Sequence, residues 1–392
     1  MLSTTSTSMM LLGVLACSLA LARKSHAAEA PPTAPWPVER AAAWHRDRGW
    51  LVGSNYANAS AINQLEMWQA DSFNPAEIDR ELGWAQSLGF NSMRVFLHHL
   101  LWEQDAKGLT QRMEQFLEIA DRHKIGVMFV LFDSVWDPNP ALGKQRAPQP
   151  GVHNSGWVQS PGAKDLADPA RQALLEAYVK GVVGHFKADK RIHAWDVWNE
   201  PDNTNDSSYG INKLKTELPV AQKHELVLTL LKKTFDWARS TNPTQPLTSG
   251  LWLGGHKADP AKLIPIEKVQ LDNSDIISFH SYGKLDEMKA WVENLRRHNR
   301  PLLCTEYMAR PQGSTFDPIL GFLKEQNIAA YNWGFVAGKS NTIYAWDTWK
   351  TAAPREPKVW FHDIFRTDGT PFDPREVEYI RKVTGAAAPA PK

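Results

Sequence analysis

The sequence predicts an α/β protein in which eight parallel strands close into a (β/α)8 (TIM) barrel with long βα loops. From about residue 50, short apolar runs rich in β-formers alternate with longer segments of helical period, and eight such pairs are present. The length of 392 residues lies within the range of one barrel of this kind. The first strand runs into Asn55 without the glycine-rich turn that an open, doubly wound sheet would have.

Strands and helices follow one another in strict alternation along the chain. Strands are predicted over residues 51–56, 92–97, 126–132, 193–198, 247–253, 275–280, 301–306 and 329–335. Helices are predicted between them near 75–88, 110–123, 168–187, 217–240, 260–270, 285–298 and 316–326, with a last one near 373–383. Four helix starts carry a capping side chain before a proline at the first helical position, namely Asn74-Pro75, Asp168-Pro169, Asp317-Pro318 and Asp373-Pro374.

The N-terminal region has the features of an export signal. Residues 9–22 form an apolar run that is too short to span a membrane and has the length of a signal-peptide core. Small residues at 25–28 offer a cleavage point, so we expect a signal peptide over 1–28 and a secreted or periplasmic protein. Lipidation of Cys17 within this run stays open as an alternative. Residues 29–45 are predicted to be a linker or N-terminal extension, 46–385 the barrel domain, and 386–392 a disordered tail.

Composition excludes several classes of partner. The 44 basic and 43 acidic residues give a formal net charge of +1, which lacks the positive surplus that nucleic-acid binding requires. Two cysteines exclude a disulfide framework and a multi-cysteine zinc site. The 17 tryptophans indicate dense packing or flat apolar faces offered to a ligand. The oligomeric state stays open.

Two glutamates stand at the C-terminal ends of predicted strands. The fourth strand ends in WNEP, which contains Glu200, and the seventh ends in CTEY, which contains Glu306. Because the active site of such a barrel lies among the loops after the strands, these two acids can face each other across the barrel axis. That arrangement suits glycoside hydrolysis, in which one acid protonates the leaving oxygen and the other attacks the anomeric carbon at about 5–5.5 Å carboxyl separation.

With four further strand-end features, these acids resemble the clan of retaining (β/α)8 glycoside hydrolases, most nearly the cellulase-like family 5 group, over about residues 50–340. The resemblance implies that Glu200 is the acid/base and Glu306 the nucleophile of a double displacement that needs neither metal nor cofactor. It implies these further roles: Asn199 hydrogen-bonds the sugar 2-hydroxyl, Arg94 supports the nucleophile, His280 and Tyr282 form the His-x-Tyr of the sixth strand, and Trp333 floors the −1 subsite.

Elementary electrostatics leads to the same division of roles. An ionised Glu306 would raise the pKa of a nearby Glu200, because two like charges in a desolvated cleft are costly. Tyr282 can hydrogen-bond one oxygen of Glu306, and pairing with Arg94 would keep that glutamate ionised. One acid is therefore expected to be the proton donor and the other the nucleophile.

Loop residues are expected to contact the sugar. Asp133, at the end of the third strand, is a candidate for hydrogen bonding to substrate. Tryptophans in or beside the loops that follow strands are candidate stacking platforms for sugar faces, namely Trp136, Trp157, Trp252, Trp346 and Trp349. The loops that begin at 133 and 334 match no well-known cellulase or mannanase, which leaves a β-linked glucan, mannan or xylan open as substrate.

Other functions compete with glycoside hydrolysis for this sequence. A transglycosylase would use the same two glutamates, and a non-catalytic carbohydrate-binding barrel would be expected to lack one of them. Residues 334–340 resemble a phosphate loop but have three residues between the glycines instead of four. His98-His99 lacks metal-ligand spacing. Endo and exo action both stay open, although the long loops after strands three, four and eight are placed to wall off one end of a cleft.

Overall fold

The computed structural model describes residues 1–2, 34–205, 218–253 and 260–387. Eight parallel strands pair in the order β5-β4-β3-β2-β1-β8-β7-β6. The strands are β1 Val52–Tyr56, β2 Ser92–Phe96, β3 Gly126–Val130, β4 Ile192–Asp196, β5 Leu247–Thr248, β6 Ile277–His280, β7 Leu302–Tyr307 and β8 Ala329–Asn332. A parallel bridge between Leu251 and Phe279 joins the two ends of this sheet. The predicted (β/α)8 barrel is confirmed.

The helices lie outside the barrel and follow the predicted alternation. They are α1 Val38–Arg48, α2 Gln64–Trp68, α3 Pro75–Ser87, α4 His99–Arg122, α5 Ala163–Ala167, α6 Gln172–His185, α7 Val220–Ser240, α8 Pro265–Asn273, α9 Leu285–Arg296, α10 Phe316–Glu325 and α11 Pro374–Thr384. Within the described residues, none of the helices is long and apolar enough to cross a membrane.

Helix starts agree with the sequence at three of the four Asx-Pro pairs. The side chains of Asn74, Asp168 and Asp373 each accept a hydrogen bond from a backbone N–H of the first turn that follows. At Asp317 the prediction differs, because α10 already begins at Phe316 and Asp317 itself has non-helical torsion angles of φ −92° and ψ 120°. Helix α4 also begins earlier than predicted, at His99, and is kinked at Asp105.

The N-terminal end of the barrel is covered by a segment that was predicted to be a linker or extension. The chain divides into two compact units, Met1–Pro31 and Pro32–Lys392, and the barrel occupies the second. Within that unit Trp36 is buried, and its backbone N–H donates to Asp275 at 2.7 Å. Trp44 of α1 packs in the same cluster against inward-facing residues at the start of the strands. The predicted signal peptide from residue 3 onward, residues 29–33 and the tail from 388 lie outside the described residues.

Candidate active site

The C-terminal ends of the strands surround one cavity of about 330 Å³. Most of the site residues predicted from the sequence line it, namely Glu200, Glu306, Asn199, His280, Tyr282, Trp333, Trp136 and Trp252. Arg94 and Asp133 do not line it and lie behind its wall, fully buried. The cavity therefore brings together side chains from the ends of β4, β6, β7 and β8 and from the loops that follow β3 and β5.

Glu200 lies where the chain leaves β4. Its φ of +43° is in the left-handed region, which a non-glycine residue adopts only where its surroundings hold it there. Its Oε1 lies 2.7 Å from Nδ1 of His280, and its Oε2 accepts a 2.5 Å hydrogen bond from Nδ2 of Asn203. Burial raises the pKa of Glu200 to about 7, against the opposing effects of Asn203 and Arg94. The rise was expected from the sequence, but burial rather than the charge of Glu306 is its main cause.

Glu306 lies near the C-terminal end of β7 and has different partners. Its Oε1 accepts a 2.8 Å hydrogen bond from Nη1 of Arg94, and its Oε2 accepts one of 2.6 Å from the hydroxyl of Tyr282. Burial, together with the nearby Glu200, raises the pKa of Glu306 as well, and His280, the positive charge of Arg94 and the phenol of Tyr282 oppose that rise. Of the two acids, Glu306 is therefore the one whose contacts favour the ionised form.

The two acids meet at the imidazole of His280. One carboxylate oxygen from each glutamate and a ring nitrogen of His280 all lie within 4.8 Å of one another. Burial lowers the pKa of His280 to about 4, so the ring is neutral at neutral pH. Both glutamates are nearly excluded from solvent, Glu200 at 7% and Glu306 at 4% relative exposure. A ligand that enters the cavity therefore meets two acids that face each other in a site largely shielded from water.

Arg94 holds several of these groups in place from below. Its Nε and Nη2 donate to Oδ2 of Asp196 at 3.1 and 2.8 Å. Nη2 also donates to Oδ1 of Asn199 at 2.7 Å, and Nη1 donates to Oδ1 of Asn55 at 2.7 Å in addition to Glu306. These bonds use all five N–H groups of the guanidinium. Arg94 therefore positions Glu306 and Asn199, and it has no donor left for a sugar.

Asp133 also positions other side chains rather than facing the cavity. It is 1% exposed and accepts hydrogen bonds from Nε1 of Trp157 at 2.6 Å and from Nδ2 of Asn199 at 3.0 Å. Gln64 and the backbone of Val135 donate to the same carboxyl. Burial raises the pKa of Asp133 to about 7. The structure thus places this candidate behind Asn199, since the loop after β3 folds back over it.

The loop tryptophans divide into two groups. Trp136, Trp252 and Trp346 line the cavity together with Trp333 at the end of β8. Trp157 and Trp349, also named from the sequence, lie behind them and are buried. Trp157 meets Trp333 edge-on, with ring centroids 5.8 Å apart. Trp157 therefore supports the Trp333 ring and Trp349 is a core residue, because the loops stack several aromatic layers deep.

Sequence reasoning missed several residues of this site, among them Asn203, Asp196 and His153. Asn203 follows Glu200 by three positions, which is a spacing that could have drawn attention to it. Asp196, the main partner of Arg94, sits at the end of β4 in the same motif, but no sequence signal links it to an arginine on β2. His153 lines the cavity from the middle of the loop after β3, and nothing local marks it.

A (β/α)8 barrel with two buried acids facing each other at the C-terminal ends of its strands is the arrangement of an O-glycosyl hydrolase. The family model described as cellulase (glycosyl hydrolase family 5) matches residues 85–350. The chain therefore belongs to glycosyl hydrolase family 5. No protein with a curated description matches it in sequence.

Several solved structures share the fold at low sequence identity. The exo-β-1,4-mannosidase Op5Man5 from Opitutaceae bacterium strain TAV5 is 20% identical with a TM-score of 0.56, over 88% of this chain and 61% of that one. GH5_18 from Streptomyces cattleya in complex with GlcNAc is 10% identical with a TM-score of 0.53, over 88% and 82%. The β-glucosidase 1317 is 13% identical with a TM-score of 0.54, over 86% and 98%. This chain thus spans less than two thirds of the mannosidase, and these similarities concern the fold.

Proposed function

We propose that this protein is a retaining β-glycosidase in which Glu306 is the nucleophile and Glu200 the acid/base. The observation that carries the proposal is the approach of the two acids, since one carboxylate oxygen of Glu200 and one of Glu306 lie within 4.8 Å of each other. Retaining enzymes place their carboxyl groups about 5–5.5 Å apart, whereas inverting enzymes leave about 6.5–9.5 Å for a water molecule. The separation in this barrel favours direct attack by a carboxylate on the sugar.

The reaction proceeds in two displacements. In the first, a carboxylate oxygen of Glu306 bonds to the anomeric carbon while the glycosidic bond breaks, and Glu200 gives its proton to the leaving oxygen. In the second, Glu200 takes a proton from water, whose oxygen bonds to the anomeric carbon as the ester to Glu306 breaks. A pKa of about 7 for Glu200 suits this exchange of roles, since the group donates and accepts a proton near neutral pH.

Neighbouring residues position the sugar in this proposal. Nδ2 of Asn199 uses one proton on Asp133 and has a second for the sugar 2-hydroxyl. Trp333 offers a ring face that Phe96 and Trp157 support edge-on, at centroid distances of 5.6 and 5.8 Å. Apolar sugar faces stack on such rings, so Trp333 floors the reacting subsite.

The substrate proposed is a β-linked hexopyranoside, with mannosides and glucosides first. The names of the structural relatives, which include a mannosidase and a glucosidase, favour these sugars for testing. We also propose that the protein acts outside the cytoplasm, on the strength of the apolar run at 9–22. A transglycosylase would use the same residues but transfer the sugar to a hydroxyl of another sugar instead of to water. Longer oligosaccharide products at high sugar concentration would identify that activity.

The test uses two variants and one control. Glu306→Ala should abolish turnover of aryl β-glycosides, and azide should restore cleavage with a product of inverted configuration. Glu200→Ala should slow substrates with poor leaving groups far more than activated ones, because only the former need the proton. Glu378→Ala, an exposed carboxylate on α11, is the matched control. Full activity of Glu306→Ala, or equal losses on both leaving groups for Glu200→Ala, would contradict the assignment.

A further inference from the structure

Two loops join across one side of the barrel mouth. Residues 149–154 of the loop after β3 and 341–353 of the loop after β8 form what we call the β3–β8 wall. The backbone N–H of Ala353 donates to the carbonyl of Gly151 at 2.9 Å, and that of His153 donates to Oγ1 of Thr348 at 2.9 Å. Nδ2 of Asn341 adds a bond to the carbonyl of Gln149. Because β1 and β2 lie between β8 and β3 in the sheet, the wall crosses the mouth above those two strands.

The wall stands close to the acids. Trp346 meets Tyr282 edge-on at a centroid distance of 5.0 Å, and the hydroxyl of Tyr282 donates to Glu306 at 2.6 Å. Trp349 of the wall stacks on Trp136, which lines the cavity, with ring centroids 5.0 Å apart. Trp346 belongs to the wall, so the wall itself contacts the tyrosine that hydrogen-bonds Glu306. A sugar attacked by Glu306 would therefore lie beside the wall.

His153 presents one polar atom at this wall. Its Nδ1 lies 2.8 Å from the carbonyl oxygen of Tyr344, which can only accept, so Nδ1 carries the proton. Burial lowers the pKa of His153 to about 4, and the ring is therefore neutral. Its Nε2 is left with a lone pair and bonds to none of the described residues, while the ring lines the cavity. An acceptor of this kind suits a sugar hydroxyl, which donates one hydrogen bond.

We propose that the β3–β8 wall makes the enzyme exo-acting, so that it removes single sugars from chain ends, and that Nε2 of His153 accepts a hydrogen bond from a hydroxyl of the terminal sugar. The proposal rests on the glycosidase function proposed above. The leaving chain extends away from the wall, on the side where Glu200 meets the glycosidic oxygen.

The first experiment follows the products of the full chain on β-linked manno- and gluco-hexaose that carry a label at the reducing end. Exo action yields labelled products shortened by one unit at a time, with free monosaccharide from the first turnover. Internal cleavage, seen as early labelled di- and trisaccharides, would overturn the wall proposal and leave the glycosidase function intact. Absence of turnover on these chains and on aryl glycosides alike would overturn both.

The second experiment tests His153 with a matched pair of variants. His153→Asn keeps a donor where Nδ1 stands and removes the acceptor, whereas His153→Gln reaches the position of Nε2 with an amide oxygen. Aryl β-glycosides that lack the 3-, 4- or 6-hydroxyl are compared with the parent glycoside. Removal of one of these hydroxyls from the substrate should lower kcat/KM about tenfold in wild type and in His153→Gln, as expected for one hydrogen bond. In His153→Asn, removal of the same hydroxyl should leave kcat/KM unchanged relative to the parent glycoside. Equal deoxy penalties in wild type and His153→Asn at every position would overturn this role.

Discussion

Removal of the Tyr282 hydroxyl offers a sensitive test of the nucleophile. The phenol donates a 2.6 Å hydrogen bond to Oε2 of Glu306, and this bond favours the ionised carboxylate. Hydrogen bonds to charged groups contribute about 1.5–3 kcal/mol, and about 1.4 kcal/mol corresponds to one pKa unit. Tyr282→Phe should therefore raise the pKa of Glu306 by roughly one to two units. At a pH below both pKa values, kcat/KM should therefore fall by roughly 10- to 100-fold, and the loss should vanish at a higher pH where the carboxylate is ionised in both enzymes.

The assay is the pH dependence of kcat/KM on an activated aryl β-glycoside. The acid limb reports ionisation of the nucleophile in the free enzyme, so it should move to higher pH in Tyr282→Phe while the alkaline limb stays in place. Tyr178→Phe is the control, because it removes a buried phenol whose partner is the carbonyl of Leu131, outside the site. An acid limb that keeps its position in Tyr282→Phe, with activity lowered evenly at every pH, would refute the reasoning.

Three further predictions concern the same network and one remote acid. Asn203→Ala removes a hydrogen-bond donor that lowers the pKa of Glu200, so the alkaline limb of the pH profile of kcat/KM should move to higher pH by about one pH unit. An alkaline limb at the wild-type pH would contradict this. Arg94→Lys replaces five bonded N–H groups by three, so the free energy of unfolding measured in urea should fall by about 3 kcal/mol. An unchanged free energy of unfolding would contradict the positioning role of Arg94. Burial raises the pKa of Glu81 to about 8, so its contribution to stability is present at acid pH and is lost as pH rises toward that value. Glu81→Gln should therefore raise the Tm relative to wild type more at alkaline than at acid pH, and a gain that does not grow with pH would contradict this.

The barrel and the positions of its acids were predictable because local sequence encodes both. Apolar runs of period two and helical segments alternate eight times, and each strand is buried along its whole length. The residue that follows such a strand lies at the barrel mouth whatever the rest of the fold does, which is why Glu200 and Glu306 could be paired. Strand ends were less predictable. The fifth strand was expected over 247–253, but only Leu247–Thr248 pairs regularly and Leu251 alone bridges to β6.

The loops were not predictable from local sequence. In the sequence, Asp133 stands at a strand end as Glu200 and Glu306 do, yet it is covered because Trp157, from a distant part of the same loop, donates to it. His153 reaches the cavity only because its backbone and ring bond to the loop after β8, nearly two hundred positions away. Contacts of this kind depend on how two irregular segments pack together, and no periodicity or spacing records them.

In the mechanism proposed above, the sharing of Arg94 lets Glu306 be both ionised and reactive. A guanidinium paired with one buried carboxylate alone would stabilise that anion strongly and oppose its attack on carbon. In this site Asp196 accepts two of the five N–H donors at 3.1 and 2.8 Å, and Glu306 accepts one at 2.8 Å. The single positive charge is thus divided between two acids, and the cluster gains net negative charge once Glu306 ionises. In the proposed reaction that charge would face the anomeric carbon, where positive charge develops as the glycosidic bond breaks.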